Sequence, residues 1–254
     1  MRIFVAGGAG AIGRQLVPQL LDAGHDVVGT TRDPRRAEWL RANGAEAALL
    51  DVFDREAVLG AVSAARPDVV IHQLTDLASG FAPEQLRANA RLRQVGTRHL
   101  VEAMSAAGVR RLVAQSGAWL YGPGAEPHTE DHPLRDLTAA PDDPVLPGIL
   151  ELERLVLRTH GIDGIVLRYG LLYGPGTGRD GPSPGDAAWV HVADAARAAA
   201  LAVDAPLGIY NIVDDGGSVS NARARRTLGW APGSYVPTPQ AGAGSDVDDE
   251  SRIS

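Results

Sequence analysis

The sequence predicts a doubly wound α/β fold (a Rossmann-type fold) in which helices cover both faces of one parallel sheet, with a reduced C-terminal substrate lobe. Short apolar strands alternate with helical stretches through most of the 254 residues. Strands of this kind are typical of a parallel sheet that is buried on both faces. The first strand also runs directly into a glycine-rich turn, residues 7–13, which opens a helix. Together these features indicate the doubly wound architecture.

The N-terminal half supplies four predicted strands and three helices. Apolar side chains run together in the four strands, at 2–6, 26–31, 45–50 and 68–72. A helix is expected over 11–23, directly after the glycine turn. Asp33 and Pro34 provide a cap and a first-position proline for the second helix, and Asp54 caps a third helix that ends near residue 64.

The C-terminal half continues the alternation with longer connections. A helix over 83–107 is stopped by Gly108, and an apolar stripe predicts a helix over 145–159. A further helix over 193–203 is expected to be capped by Asp194. The connection at 174–186 is rich in glycine and proline and is predicted to be a loop. Three more strands are predicted, at 111–116, 164–169 and 208–213.

The chain is predicted to contain one large domain and a small appendage. Residues 1–176 form the dinucleotide-binding domain, and residues 177–235 form a small C-terminal substrate lobe packed on it. The segment 236–254 is polar and acidic with little to bury, which predicts a disordered tail.

Composition excludes several kinds of chemistry. The chain has no cysteine, and all 24 basic residues are arginine. It therefore has no thiolate metal ligand and no lysine for a Schiff base or a tyrosine–lysine pair. The net charge of −7 gives no reason to expect nucleic acid or an anionic membrane as a partner. The N-terminus resembles a strand rather than a signal peptide, so we expect a cytoplasmic protein.

The glycine turn predicts a dinucleotide site. Gly7, Gly10 and Gly13 follow a strand and open a helix, which is the context that this spacing requires. Glycine lets the backbone approach a pyrophosphate, and the free N–H groups near Ala11 and Ile12 face that anion. A purely structural tight turn is the alternative.

The end of the second strand favours NADP over NAD. An acidic residue there would bind the ribose hydroxyls of NAD, but the chain has Thr31 and Arg32. Arginine suits a 2′-phosphate because its planar fork forms paired hydrogen bonds. The alternative is that Arg32 and its neighbours only solvate a helix start. Further cofactor contacts are expected from two later strand ends, at Asp51 and Val52 and at Gln73, Leu74 and Thr75.

As a set, the motifs resemble the extended short-chain dehydrogenase/reductases, the NAD(P)-dependent epimerase/dehydratase group. The resemblance covers about residues 1–235. It is carried by the glycine turn and by five later segments, at 116–122, 167–170, 173–176, 189–194 and 228–232. It implies the fold predicted above, a bound nicotinamide cofactor, a small-molecule substrate and a homodimer that pairs the helices at 83–107 and 145–159.

The resemblance also implies a catalytic serine or threonine, tyrosine and lysine, and here the chain departs from the family. The alignment puts Val145 at the tyrosine position, Ile149 at the lysine position and Gly117 at the serine position. The usual substrate region between 177 and 188 is short. The resemblance therefore does not extend to the sugar-nucleotide substrates of the family.

The remaining candidates for proton transfer are Tyr121, Ser116 and His191. The alternatives are packing beside the pocket for Tyr121 and a satisfied structural histidine for His191, and whether Ser116 faces the pocket stays open. Tyr169 and Gly170 are expected beside the nicotinamide through shape alone. Trp119 is expected to pack in the core, or alternatively to form an apolar wall of the substrate pocket. The polar loop at 128–132 is expected to be solvated rather than to bind a metal.

Two functions remain open from the sequence. The first is an NADP-dependent enzyme that acts on a carbonyl or hydroxyl of a small molecule. The second is a cofactor-bound protein without redox turnover, such as an isomerase, cyclase, dehydratase or nucleotide-sensing regulator.

Overall fold

A computed structural model describes residues 1–76, 82–138, 140–183, 185 and 188–233. The tail predicted at 236–254 lies outside these residues. Among the described helices, none is long and apolar enough to cross a membrane.

The central sheet confirms the predicted fold. Seven strands pair in parallel in the order β3-β2-β1-β4-β5-β6-β9. Their bounds are β1 Arg2–Ala6, β2 Asp26–Thr31, β3 Glu46–Leu49, β4 Val69–His72, β5 Arg111–Gly117, β6 Asp163–Tyr169 and β9 Gly208–Ile212. The order in which strands are added to the sheet reverses between β1 and β4: β2 and β3 lie on one side of β1, and the later strands lie on the other. Ligands of open α/β sheets bind outside the carboxyl ends of the strands at such a point.

Helices cover both faces of this sheet, and each face has its own core. The helices are α1 Ala11–Asp22, α2 Pro34–Ala42, α3 Arg55–Ala65, α4 Pro83–Ala107, α5 Leu146–Arg158, α6 Val192–Leu201 and α7 Ala222–Leu228. One core lies under α1 and α6 and contains Leu16, Tyr169 and Ala199. The other lies under α3, α4 and α5 and contains Val58, Leu100 and Leu152. Parallel strands buried on both faces explain why β1, β4 and β5 are mostly apolar.

The sequence did not predict a second, two-stranded sheet of β7 Leu171–Tyr173 and β8 Trp189–His191. Its strands are too short to show a pattern. The prediction that Asp194 caps the following helix is wrong. His191 is the cap, since its Nδ1 accepts a hydrogen bond from the Ala193 N–H at 3.3 Å. Asp194 instead accepts one from the Gly233 N–H at 2.8 Å.

The division into a main domain and a small lobe stays a prediction. Within the described residues, β9 belongs to the central sheet and α6 packs on α1. The Trp230 indole N–H donates to the Asp194 carbonyl at 2.9 Å, which ties the end of α7 to α6. Residues on both sides of position 177 therefore share one sheet and one core.

A close crossing joins α4 to α5. A Cβ on Gly148 would lie 2.6 Å from the Ala90 Cα, so the helix backbones touch there. Gly148→Ala should therefore destabilise the protein by about 1–3 kcal/mol despite the better helix propensity of alanine. Gly60→Ala, in α3, is the matched control because its Cβ would meet open space. Urea unfolding should show no loss for Gly60→Ala. Equal stability of the two variants would contradict the close crossing.

Candidate functional site

A groove of about 150 Å³ opens at the carboxyl edge of the sheet, between β1 and β4. It brings together residues from the glycine turn and from the ends of β2, β3 and β4, as the sequence predicted. The predicted cofactor residues that line it are Gly7, Gly10, Ala11, Ile12, Thr31, Arg32, Asp51, Val52, Gln73, Leu74 and Thr75. Arg36, Asp76, Leu92, Gln115 and Leu172 also line it.

The glycines of the turn have different physical roles. Gly7 has φ +86°, and a Cβ there would lie 2.9 Å from the Gln73 carbonyl oxygen. A Cβ on Gly13 would lie 2.4 Å from the Gly8 carbonyl oxygen, so Gly13 lets α1 pack on the turn and does not line the groove. At Gly10 a Cβ would meet only the Gly7 carbonyl oxygen, at 3.3 Å. Gly10 thus leaves space at the start of a helix.

That space fits a pyrophosphate. The first turn of α1 has no side-chain cap, and Gly10 is extended at φ −77° and ψ −177°. The free N–H groups and the positive end of the helix dipole therefore face the groove. The Gly7 N–H is already used, since it donates to Thr30 Oγ1 at 3.1 Å. Thr30 thereby holds the turn against β2.

Two arginines follow β2 in the groove lining, which also contains the carboxylates of Asp51 and Asp76. They are Arg32 and Arg36. Arg32 is largely exposed and lies 3.5 Å from an Asp76 carboxylate oxygen, whereas Arg36 lies 3.7 Å from Asp33. Both contacts are exposed and weak, so either guanidinium can turn to a phosphate. Asp51 accepts a hydrogen bond from the Phe53 N–H at 3.0 Å, which shapes the turn after β3.

Two buried amides line the inner part of the groove. Gln73 and Gln115 are each 4% exposed, and the Oε1 of each has no hydrogen-bond partner among the described residues. The carboxamide and ribose hydroxyls of a nicotinamide nucleotide carry donors that would satisfy these oxygens. The sequence reasoning missed Gln115. Its signal was an amide within an otherwise apolar strand.

Tyr169 and Gly170 lie behind the groove rather than in its lining. The Tyr169 hydroxyl is fully buried and accepts a hydrogen bond from Gln73 Nε2 at 3.3 Å. Burial raises the pKa of this phenol well above its usual value, so it stays neutral. A Cβ on Gly170 would lie 2.6 Å from the Trp189 backbone, so this glycine allows β8 to approach.

A buried ion pair connects α5 to β6. Arg168 donates to Glu153 through Nη2 at 2.7 Å and through Nε at 2.9 Å. Ser116, on the neighbouring strand, donates to the same carboxylate at 2.6 Å. Arg168 Nη1 donates to the Tyr121 hydroxyl at 3.0 Å, and that hydroxyl donates to Asn211 Oδ1 at 2.7 Å. We call these five residues the Glu153–Arg168 network.

Both hydroxyls that the sequence offered for proton transfer, those of Ser116 and Tyr121, already donate hydrogen bonds within this network. Ser116 is fully buried outside the groove lining, and its O–H is directed at Glu153. Burial raises the pKa of Tyr121, and the neighbouring Arg168 opposes that rise only in part. Burial also lowers the pKa of Arg168, but the Glu153 carboxylate more than offsets this, so the guanidinium stays charged. These contacts favour a structural role for both hydroxyls over a proton relay.

Trp119 covers the position at which the family resemblance implied a catalytic serine. A Cβ on Gly117 would lie 2.7 Å from the Trp119 indole. Any larger residue at 117 would displace this ring. Trp119 is only partly buried and packs beside Leu120, Leu146 and Ile149. The edge of β5 thus presents an aromatic surface.

The histidine candidates have other partners. His191 caps α6, as described above, and its ring contacts the Tyr173 ring edge-on at a centroid distance of 5.2 Å. His128 stacks on Tyr121 at 5.1 Å. In the same loop, Glu130 accepts a hydrogen bond from the Asn211 N–H at 2.8 Å, and Asp131 pairs with Arg223. No group of three His, Asp or Glu side chains in the described part of the chain could hold a metal ion.

The Glu153–Arg168 pair should contribute strongly to stability. Glu153→Gln leaves a buried guanidinium without its counter-charge and should cost about 3–5 kcal/mol. Glu151→Gln, two residues earlier in the same helix, removes more exposed pairs with Arg154 and Arg98 and should cost less than about 1 kcal/mol. Denaturant unfolding measures both. A loss below about 1 kcal/mol for Glu153→Gln would show that the network does not hold α5 to the sheet.

Solved structures match the fold closely. A UDP-glucose 4-epimerase from Thermotoga maritima superposes with a TM-score of 0.76 at 20% identity, covering 92% of this chain and 94% of that one. A UDP-glucose 4-epimerase from Thermus thermophilus, solved as a complex with NAD, has a TM-score of 0.69 at 26% identity, covering 91% of this chain and 85% of that one.

Sequence comparison finds relatives that span nearly the whole chain. A Streptomyces sp. protein named 3-diazoavenalumate denitrifying reductase is 43% identical, over 95% of this chain and 86% of its own length. A dTDP-4-dehydrorhamnose reductase from Streptomyces griseus is 31% identical, over 93% of this chain and 79% of its own length. The family model of the NAD dependent epimerase/dehydratase family matches residues 3–187. The chain therefore belongs to the NAD-dependent epimerase/dehydratase family.

Proposed function

We propose that this protein is an NADPH-dependent reductase of a small aromatic acceptor whose reduction needs no proton from a side chain. One observation carries the proposal: the groove brings together most of the predicted cofactor residues, whereas both hydroxyl candidates for proton transfer, Ser116 and Tyr121, are hydrogen-bonded within the Glu153–Arg168 network. A carbonyl acceptor, which the sequence first suggested, needs a proton at its oxygen as it accepts hydride. The network provides no free donor for that step.

The two arginines that follow β2 support NADPH as the cofactor. Arg32 and Arg36 line the groove beyond β2, and the strand ends in Thr31 rather than in a carboxylate. A bound nicotinamide would supply a hydride. The residues of the chain would hold and orient it: the α1 N-terminus at the pyrophosphate, and Gln73 and Gln115 at the nicotinamide end.

A diazonium group is an acceptor that fits these conditions. Its replacement by hydrogen, Ar–N₂⁺ + NADPH → Ar–H + N₂ + NADP⁺, balances without an added proton. The C–N bond breaks, dinitrogen leaves, and the nicotinamide is oxidised by two electrons. The Streptomyces sp. relative carries a diazo substrate in its name. Trp119, partly exposed over Gly117, would provide an apolar wall for an aromatic ring.

The same committed hydroxyls would also suit a protein that binds the cofactor without redox turnover. This second candidate predicts tight NADPH binding with no consumption of NADPH for any acceptor. We expect either protein in the cytoplasm.

The homodimer also stays a prediction. The outer face of α4 carries Arg87, Arg91 and Gln94 beside Asp142 and Asp143. An interface through this face would be polar, so we expect a dimer that weakens at high salt. Light scattering at micromolar concentration and two salt concentrations tests this. A monomer at low salt would contradict it.

NADPH should bind at least tenfold more tightly than NADH, a difference of about 1.4 kcal/mol. Arg32→Ala should remove most of this preference because Arg32 lines the groove beyond β2. Arg35→Ala is the matched control, since Arg35 carries the same charge outside the groove lining. Calorimetric titration measures both dissociation constants. Equal affinity of the unmodified protein for the two cofactors would exclude NADPH specificity.

The acceptor class can be tested with 4-carboxybenzenediazonium and 4-carboxybenzaldehyde, which share a ring and a carboxylate. We expect NADPH consumption to be at least tenfold faster with the diazonium, with benzoate and N₂ as products. Gly10→Val controls for the uncatalysed reaction because its side chain would fill the pyrophosphate space. Faster turnover of the aldehyde would show that the enzyme reduces carbonyl groups. NADPH binding without turnover of either acceptor would favour the protein without redox activity.

A further inference from the structure

Arg93 is a buried cation with no carboxylate partner among the residues that the structure describes. It lies in α4 and is 1% exposed, and its Nε–H has no hydrogen-bond partner among the described residues. Loss of solvation alone lowers its pKa, to about 10, with no contribution from a described carboxylate. Residues 77–81, which precede the helix, contain no Asp or Glu. At neutral pH the guanidinium is therefore charged and lacks a counter-ion from the described residues.

Arg93 lies directly behind the wall of the cofactor groove. One turn earlier in α4, Asn89 Oδ1 accepts hydrogen bonds from Thr75 Oγ1 at 3.2 Å and from the Asp76 N–H at 2.9 Å, and both residues line the groove. Its chain neighbour Leu92 also lines the groove. Arg93 is thus held between the residues that follow β4 and the body of α4.

The other neighbours of Arg93 are neutral. One turn later, Thr97 Oγ1 lies 2.8 Å from His72 Nε2 and donates to the Arg93 carbonyl oxygen. Burial first, and the charge of Arg93 second, lower the pKa of His72 to about 3, so this imidazole is uncharged at neutral pH. These contacts satisfy Thr97 and His72, and none of them gives the Arg93 Nε–H an acceptor from the described part of the chain.

A buried charge without a partner is strongly unfavourable, and a well-packed apolar residue of similar volume is often more stable at such a place. A ligand that brings a negative charge would compensate the guanidinium. The planar fork of arginine would bind a carboxylate or a phenolate with two parallel hydrogen bonds.

The cofactor phosphates have other partners in the groove. The start of α1 suits the pyrophosphate, and Arg32 and Arg36 suit a 2′-phosphate. Arg93 does not line the groove itself; it lies in α4, behind the wall to which Leu92 and Thr75 belong. We infer that Arg93 binds the anionic group, a carboxylate or phenolate, of an aromatic substrate. This assignment names the substrate class of the proposed function more closely, and it rests on that function for the aromatic character of the substrate.

The test compares cinnamate with the neutral cinnamamide by calorimetry in the presence of NADP⁺. We expect the unmodified protein to bind cinnamate at least tenfold more tightly than cinnamamide. Arg93→Met should remove this difference and leave NADPH affinity within about twofold. It should also raise the melting temperature of the ligand-free protein, because it removes an uncompensated buried charge. Arg91→Met, at an exposed site in the same helix, is the matched control and should change neither the preference for cinnamate nor the affinity for NADPH.

Three results would overturn the inference. The first is equal binding of cinnamate and cinnamamide, or of neither, by the unmodified protein, a measurement that needs no variant. The second is unchanged cinnamate binding by Arg93→Met. The third is a tenfold loss of NADPH affinity in Arg93→Met, which would assign the guanidinium to the cofactor. Because all readouts are of binding, charge-selective binding without turnover of any acceptor would contradict the proposed function and leave this inference intact.

Discussion

The buried pair of Glu153 and Arg168 is the interaction on which the candidate site depends. It joins α5 to β6, while Ser116 brings in β5 and Tyr121 brings in the segment after it. A buried ion pair is tolerated only when its remaining hydrogen-bonding capacity is satisfied, and here the two hydroxyls contribute to that. The same contacts that fix the geometry of this edge thus remove its hydroxyls from proton transfer.

Much of the fold follows from local sequence signals. The bounds of α4 agree with the sequence because Pro83 starts the helix and Gly108, at φ +72°, ends it. The sheet β7–β8 was missed because strands of three residues show no period, and the Glu153–Arg168 network was missed because Ser116 and Glu153 are 37 residues apart. The groove could be predicted because its glycines and strand ends are local motifs. Which hydroxyl is free depends on packing between distant elements.

The groove is lined by groups that hold and orient a ligand. Gln73 and Gln115 present unpaired amide oxygens, and the start of α1 presents free N–H groups. Trp119 covers the position at which the family resemblance implied a catalytic serine, so an aromatic surface replaces a hydroxyl. The wall behind β4 adds a cation at Arg93. This arrangement is the basis for proposing hydride transfer to an aromatic diazonium group rather than proton-coupled reduction of a carbonyl.

The most direct test of this account is the rate of hydride transfer in Tyr121→Phe, measured by single-turnover oxidation of NADPH with the diazonium acceptor. The variant keeps the ring that stacks on His128 and loses only the hydroxyl, so circular dichroism and NADPH affinity serve to confirm its fold. The account predicts a rate within about threefold of the unmodified protein. Loss of a positioned acid would instead slow the step by about 10²- to 10⁴-fold. A loss of that size with NADPH affinity unchanged would show that the Tyr121 hydroxyl takes part in the step, which would contradict the account.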